Sequence, residues 1–118
     1  MTLRIACLLT LALAAPFAHA AGFPNGTYTS GDLALTFADH GKVQLKAKDE
    51  VVLNGTWSAA GDKITFTDVD GSYACDKANA TGVYAWKADA GSVTFTKDKD
   101  SCSDRAASLD GKTWKRKG

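Results

Sequence analysis

The chain is poor in the residue types from which most enzyme active sites are built. It has two histidines, His19 and His40, and one glutamate, Glu50. It has neither a Cys-x-x-Cys pair nor a glycine-rich phosphate-binding loop. A nucleophile with its base would have to be assembled around His40, which lies in the turn-like sequence Asp39-His40-Gly41. We therefore expect no catalytic residues and no enzyme activity.

Sets of metal ligands are also missing. Asp98, Asp100 and Asp104 lie close together, but their spacing lacks the glycine and the terminal glutamate of an EF-hand loop. The sequence favours another role, in which Asp100 or Asp104 caps a short helix or pairs with Arg105. We expect no metal and no cofactor.

An N-terminal segment has the features of an export signal. Arg4 precedes the apolar run Ile5–Ala15, and Ala18-His19-Ala20 matches the small-x-small pattern of a signal-peptidase site. The run is shorter than the roughly 20 apolar residues that span a membrane. We expect residues 1–20 to be a bacterial signal peptide, cut after Ala20, and the protein to be periplasmic or secreted without a stable membrane anchor. The alternative is a short apolar helix that the mature protein keeps.

The predicted mature chain, residues 21–118, is electrically balanced. Loss of Arg4 lowers Lys plus Arg from 14 to 13, which equals the 13 Asp plus Glu. A formal charge of zero gives no reason to expect a nucleic-acid or anionic-membrane partner. The 98 residues that remain of 118 predict one domain, and we expect a monomer.

Cysteine usage supports the same compartment. Cys7 leaves with the signal peptide, so Cys75 and Cys102 remain as an even pair. A disulfide between them would close a loop of 27 positions, and chain-entropy arguments value such a loop at about 3.5 kcal/mol. A thiol metal site and a redox pair are the alternatives. We predict a structural disulfide.

A hairpin-like unit recurs along the mature chain and indicates a β-meander. Gly55–Thr67 has a Gly-x-aromatic start, a Gly-Asp turn and an apolar-Thr-Phe end, and similar units occupy Gly26–Phe37 and Gly82–Thr96. Apolar and polar residues alternate with period two, which is typical of half-buried antiparallel strands. The predicted strands are 26–30, 33–38, 42–47, 51–58, 63–68, 72–76, 82–88 and 92–97, with a ninth at 112–116 that returns to pair with the first.

Burial of one apolar face per strand predicts an all-β, up-and-down antiparallel barrel of about eight to nine strands. A two-sheet sandwich uses the same alternation and is the alternative. One short helix is expected at Cys102–Leu109, before the last strand, with Ser101 or Ser103 as its cap. Gly26, Gly55 and Gly82 each lie two positions before an aromatic residue, and we expect these glycines to set the strand curvature and to make room for a neighbouring ring. The alternative is that Asn25-Gly26 and Asn54-Gly55 are turns.

Some of these motifs resemble those of a known superfamily. Gly26-Thr27-Tyr28 resembles the first Gly-x-Trp motif of lipocalins and other calycins, with Tyr in place of Trp. Gly82–Arg105 is similar to a segment of small bacterial secreted lipocalin-like proteins of uncharacterised role. The resemblance implies a barrel whose end is closed by Arg105 packing across Tyr28.

Three hypotheses are compatible with a small exported barrel, two with a specific function and a third in which it is a stable envelope protein with no dedicated pocket. The first is a binding protein for a small apolar or amphipathic ligand, with Trp57, Phe66, Tyr84 and Trp86 as pocket residues. The second is a protein-binding module such as an inhibitor of a lysozyme-type envelope hydrolase, because Tyr73-Ala74-Cys75 resembles the Tyr-x-Cys of such inhibitors. A pocket binder predicts a cavity at a barrel mouth. An inhibitor predicts an exposed reactive loop, around 98–105 or 39–41.

Overall fold

The structure, a computed structural model, describes residues 22–117. These residues form a closed, up-and-down antiparallel barrel of eight strands and one short α-helix. The predicted signal peptide and its cleavage after Ala20 lie outside the described residues. Within residues 22–117, no helix is long and apolar enough to cross a membrane. The elements are β1 Gly26–Ser30, β2 Leu33–Ala38, β3 Lys42–Ala47, β4 Glu50–Ala60, β5 Lys63–Asp70, β6 Thr81–Asp89, β7 Ser92–Lys99, α1 Ser103–Leu109 and β8 Thr113–Arg116.

Closure of the barrel follows from the period-two pattern and from the return of the last strand. In β2, Leu35 and Phe37 are buried in the interior, as the alternation predicts. β8 pairs with β7 on one side and with β1 on the other, where Tyr28 lies opposite Arg116. The barrel is therefore confirmed, and the sandwich is excluded, because each strand has two neighbours in one closed sheet.

One predicted strand is not a strand. Residues 72–76 leave the sheet and cross the end of the barrel, which reduces the count from nine strands to eight. Gly71, with φ 121°, turns the chain, and the Tyr73 amide then donates to the Val52 carbonyl. The Cys75 amide donates to the Asp68 carboxylate instead of to a neighbouring strand. These hydrogen bonds thus satisfy backbone amides that would otherwise have paired with a neighbouring strand.

The short helix before the last strand is confirmed, but its predicted cap is wrong. The residue at the N-cap is Cys102, which makes no side-chain capping bond. Ser101 instead donates its hydroxyl to Asn79, on the segment that follows β5. Asp100 accepts the Cys102 amide, so a carboxylate stabilises the turn just before the helix.

The two ends of the barrel are closed by different segments. At one end, the ring of Phe23, which precedes β1, packs against those of Phe37, Trp57 and Trp86, and we call this the plugged end. At the other end, residues 71–80 and 100–112, including α1, cross the barrel mouth, and we call this the loop end. The interior between them is packed with large side chains, of which Phe95 and Ile64 are fully buried.

Candidate functional site

A cavity of about 480 Å³ lies at the loop end, between the barrel wall and the segments that cross it. Ser72–Ala74 forms one side of its roof and α1 forms the other. Its walls are mainly apolar side chains that the strands and α1 point inward. These apolar residues are Leu35, Val43, Leu45, Leu53, Phe66, Leu109 and Trp114.

A disulfide joins the two sides of this roof. Cys75 and Cys102 are bonded, with their Cα atoms 6.2 Å apart, as the sequence predicts. Cys75 follows the Ser72–Ala74 side, and Cys102 immediately precedes α1. Because the bond fixes the distance between the segments, it holds the roof over the cavity without occupying it.

Arg105 also joins these two segments, through its buried guanidinium. The Arg105 side chain is 7% exposed. Its Nε and Nη2 each donate to the Asp100 carboxylate at 2.7 Å. Nη1 donates to the Ala80 carbonyl and Nη2 to the Asn79 carbonyl, each at 2.9 Å. Nη1 also lies 3.2 Å from Asp68 Oδ1. Every nitrogen of the guanidinium is therefore engaged, which is what burial of a cation requires.

The carboxylate of Asp100, with 0% of its side chain exposed, is the centre of this network. It accepts hydrogen bonds from Arg105, from the Tyr84 hydroxyl and from the Cys102 amide. Burial opposes ionisation, but these donors outweigh it and lower the pKa of Asp100. Burial, together with the adjacent Asp100, raises the pKa of Tyr84. Burial would lower the pKa of Arg105, and Asp100 and Asp68 raise it instead. The shifts favour a neutral Tyr84 phenol, a charged Arg105 guanidinium and an ionised Asp100 carboxylate.

Gly82 makes this network possible. A Cβ atom at this position would lie 2.6 Å from Asp100 Cγ and 3.0 Å from Arg105 Nε. The expectation that a glycine before an aromatic residue leaves room for a neighbour holds here in part, because the neighbour is an ion pair. Backbone close approach of this kind is a general reason for glycine within a strand.

The contact that the lipocalin resemblance implied, Arg105 across Tyr28, is not found. The guanidinium over the Tyr28 ring belongs to Arg116, 5.6 Å from the ring centroid. Arg116 also donates to the Tyr28 hydroxyl at 3.2 Å. The reason is geometric: Arg105 is held by Asp100 at the loop end, whereas Arg116 lies on β8, directly opposite Tyr28 in the sheet.

The four predicted pocket residues are divided between the two ends. Phe66 lines the cavity. Tyr84 is fully buried and faces the Asp100 network. Trp57 and Trp86 lie at the plugged end instead, with ring centroids 5.3 and 5.0 Å from that of Phe23.

Phe23 is the residue that the sequence prediction missed. It is 6% exposed, and its ring lies 4.7 Å from that of Phe37. The Tyr28 hydroxyl donates to the Pro24 carbonyl and so anchors the segment that carries it. The available signal was an aromatic residue just after the predicted cleavage site, and it could have indicated a plug.

The cavity has a polar side as well as apolar walls. Asp68, Asp104 and Arg105 line it together with the hydroxyls of Ser72 and Ser108. Tyr73, which is 54% exposed, is also part of the lining. A concave, mainly apolar space with a few polar groups on one side is the usual form of a small-molecule site.

No protein-family model matches the chain, and neither does any curated protein or solved structure. What the protein does must therefore be inferred from the cavity and the groups around it. Those groups belong to a small closed antiparallel barrel of eight strands with one disulfide.

Proposed function

We propose that this is an exported, non-enzymatic, lipocalin-like binding protein that takes a small apolar or amphipathic ligand into the cavity at the loop end. The observation that carries the proposal is the cavity itself, about 480 Å³ with mainly apolar walls. Its volume lies within the range of roughly 300–1,000 Å³ that is typical of sites for small molecules.

The way in which the loop end is built supports this use. Packing at the plugged end removes the space between side chains, whereas the disulfide and the Arg105 network hold the loop end together around a space. The interior of an eight-stranded barrel is wide enough to hold one small ligand where side chains do not fill it. The burial of Leu45 and Phe66 makes the floor of the cavity apolar, so transfer of an apolar ligand from water into it would be favourable.

The disulfide between Cys75 and Cys102 supports export. A disulfide is stable in oxidising compartments and uncommon in the cytosol. Together with the predicted signal peptide, it supports a periplasmic or secreted protein, and the balanced charge of the predicted mature chain is our reason for proposing no nucleic-acid partner.

The alternative, a protein-binding module such as an inhibitor of an envelope hydrolase, has less support. One predicted reactive loop, residues 98–105, contributes Asp100 and Arg105 to the buried network, where they are not free to contact a partner. Asp98 pairs with Lys63 on β5. The exposed His40 turn and the exposed Tyr73 would have to carry the contact.

Native mass spectrometry of the protein purified from an exporting host tests the proposal. We expect an additional mass that is lost on denaturation, and we expect the emptied protein to bind the neutral dye Nile red. Leu53→Trp, which fills the cavity from β4, should abolish both kinds of binding. Trp57→Phe at the plugged end is the matched control and should preserve them.

Circular dichroism must show that the Leu53→Trp protein is folded for the comparison to count. An absent additional mass together with no dye binding would contradict the proposal. Dye binding that Leu53→Trp leaves unchanged would place the ligand outside the cavity and would also contradict it. In either case, inhibition assays against envelope hydrolases become the next experiment.

A further inference from the structure

The charged groups around the cavity restrict the kind of ligand that it can hold. Three charged residues line it, and these are Asp68, Asp104 and Arg105. A ligand head group placed at this side of the cavity must pair with one of them. Which sign of charge is favoured depends on which of these residues still has hydrogen-bonding capacity.

Arg105 has no nitrogen left for a ligand. Asp100 takes two of its hydrogen bonds, and the carbonyls of Asn79 and Ala80 take two more. Nη1 is also paired with Asp68. An anionic head group would therefore have to displace a buried partner of the guanidinium. That partner would then remain buried without its hydrogen bond to Arg105, which is unfavourable.

The carboxylates at this side of the cavity outnumber the cationic groups. There are three carboxylates, those of Asp68, Asp100 and Asp104, and one guanidinium, that of Arg105, which leaves a formal excess of two negative charges. Asp104 is exposed at the start of α1, and no residue in the described range 22–117 donates to its carboxylate. Among residues 22–117, no lysine lines the cavity.

We propose that the ligand is an amphipathic cation, with an apolar body in the barrel and an ammonium group beside Asp104 and Asp68. This inference rests on the proposed function and specifies the ligand class of the same cavity. The ammonium group would offset the excess negative charge, whereas a carboxylate head group would add to it. A neutral hydroxyl would lie between the two.

Isothermal titration calorimetry with three ligands of equal chain length tests the head group. Decylamine, which is an ammonium ion at neutral pH, should bind most tightly, decanol less tightly and decanoate least. We expect about a tenfold difference in Kd between decylamine and decanoate at low salt. The difference should shrink as salt is added, because the cavity side that carries Asp104 faces solvent.

Two charge-neutralising substitutions locate the effect. Asp104→Asn should reduce the preference for decylamine over decanoate by about threefold. Asp62→Asn removes the same charge from the exposed turn between β4 and β5, at the plugged end, and should leave the preference as it is in the wild type. Because both positions are exposed, neither substitution should impair folding.

The possible results separate this inference from the function on which it rests. Equal binding of the three compounds, or tighter binding of decanoate, would overturn the cationic preference and keep the ligand-binding function. A preference that responds equally to both substitutions would overturn the assignment to Asp104. If none of the three compounds binds, the proposed function fails and the inference fails with it.

Discussion

At the plugged end of the barrel, the ring of Phe23 lies 4.7–5.3 Å from those of Phe37, Trp57 and Trp86, so aromatic side chains pack directly against one another there. At the loop end, a disulfide and an ion pair join two crossing segments, and a cavity of about 480 Å³ remains beneath them. The same eight-stranded sheet supports both ends.

The difference shows what each kind of closure can achieve. Aromatic packing is non-directional and stabilises by removing space, so an end closed in this way cannot also receive a ligand. Hydrogen bonds and covalent bonds act between fixed atoms, so a few of them can hold a roof in place over empty volume. We infer that the loop end is closed by a disulfide and an ion-pair network, rather than by packed side chains, because such bonds leave the cavity open.

Loss of Arg105 should have the largest effect on this contrast. Arg105→Ala leaves Asp100 and Asp68 buried without their cation, and we expect the free energy of unfolding to fall by about 3–5 kcal/mol. Urea unfolding measures this loss. Hydrogen exchange should accelerate in residues 71–80 and in α1 before it does so around Phe23.

Arg116→Ala is the matched control, because this arginine lies over an aromatic ring on the barrel wall and is itself exposed. Its loss should cost about 1 kcal/mol or less. Equal effects of the two substitutions would contradict the separate roles assigned to Arg105 and Arg116.

Removal of the disulfide should have the next largest effect. In the double variant Cys75→Ala/Cys102→Ala, we expect the free energy of unfolding to fall by about 3.5 kcal/mol, because a loop closed over 27 positions becomes free in the unfolded chain. Calorimetry compares this variant with the wild type. Nile red binding should weaken as well, and undiminished dye binding would show that the covalent bond does not support the roof.

Removal of the plug should have a somewhat smaller effect on stability. Phe23→Ala empties a site that is 6% exposed, and we expect a loss of about 3 kcal/mol, at the low end of values for buried phenylalanine because the segment lies near the start of the fold. Tyr73→Ala, at a residue that is 54% exposed, is the control and should change stability by less than about 0.5 kcal/mol. If the Phe23→Ala protein is as stable as the wild type, the plug is not a structural element.

Alkaline pH should have the smallest effect, and it should act at the loop end. Burial and the hydrogen bond to Asp100 raise the pKa of Tyr84 in the folded protein, so only the unfolded chain ionises this group near its ordinary pKa of about 10. Its stabilisation is therefore complete below that pH and declines above it, by about 1.4 kcal/mol at one pH unit higher. Urea unfolding across this pH range gives the free energy of unfolding as a function of pH. That free energy should decline less steeply with pH in Tyr84→Phe than in the wild type, and an identical decline in both proteins would contradict the assignment.

Local patterns were sufficient to predict most of the fold. The alternation in stretches such as Leu33–Ala38 reports which face each strand buries, and the short turns leave adjacent strands little choice of partner. The pair Cys75 and Cys102 could be assigned because no other cysteine remains in the predicted mature chain. The extra strand predicted at 72–76 is wrong because the bonds that hold this segment come from Asp68 and Val52, which its own sequence does not reveal.

The candidate site could be predicted only in kind. A cavity at a barrel mouth was expected. Which aromatic residues reach it depends on the position of each residue along the barrel axis, and the pattern of apolar residues does not reveal that position. Phe66 lies on the cavity side, whereas Trp57 and Trp86 lie at the opposite end. The pairing of Arg105 with Asp100, five residues away, was one of the local predictions and is confirmed, whereas the expected contact with Tyr28 came only from the lipocalin resemblance and is wrong.

The distribution of the three tryptophans permits a direct test of the central claim that only the loop end receives a ligand. Trp57→Phe/Trp86→Phe keeps Trp114 at the cavity, and Trp86→Phe/Trp114→Phe keeps Trp57 at the plug. Each protein would be titrated with ω-bromoundecanol, a neutral ligand whose bromine quenches indole fluorescence only on contact. We predict saturable quenching of Trp114 and none of Trp57. Quenching of Trp57, with or without quenching of Trp114, or quenching of neither tryptophan would contradict the account.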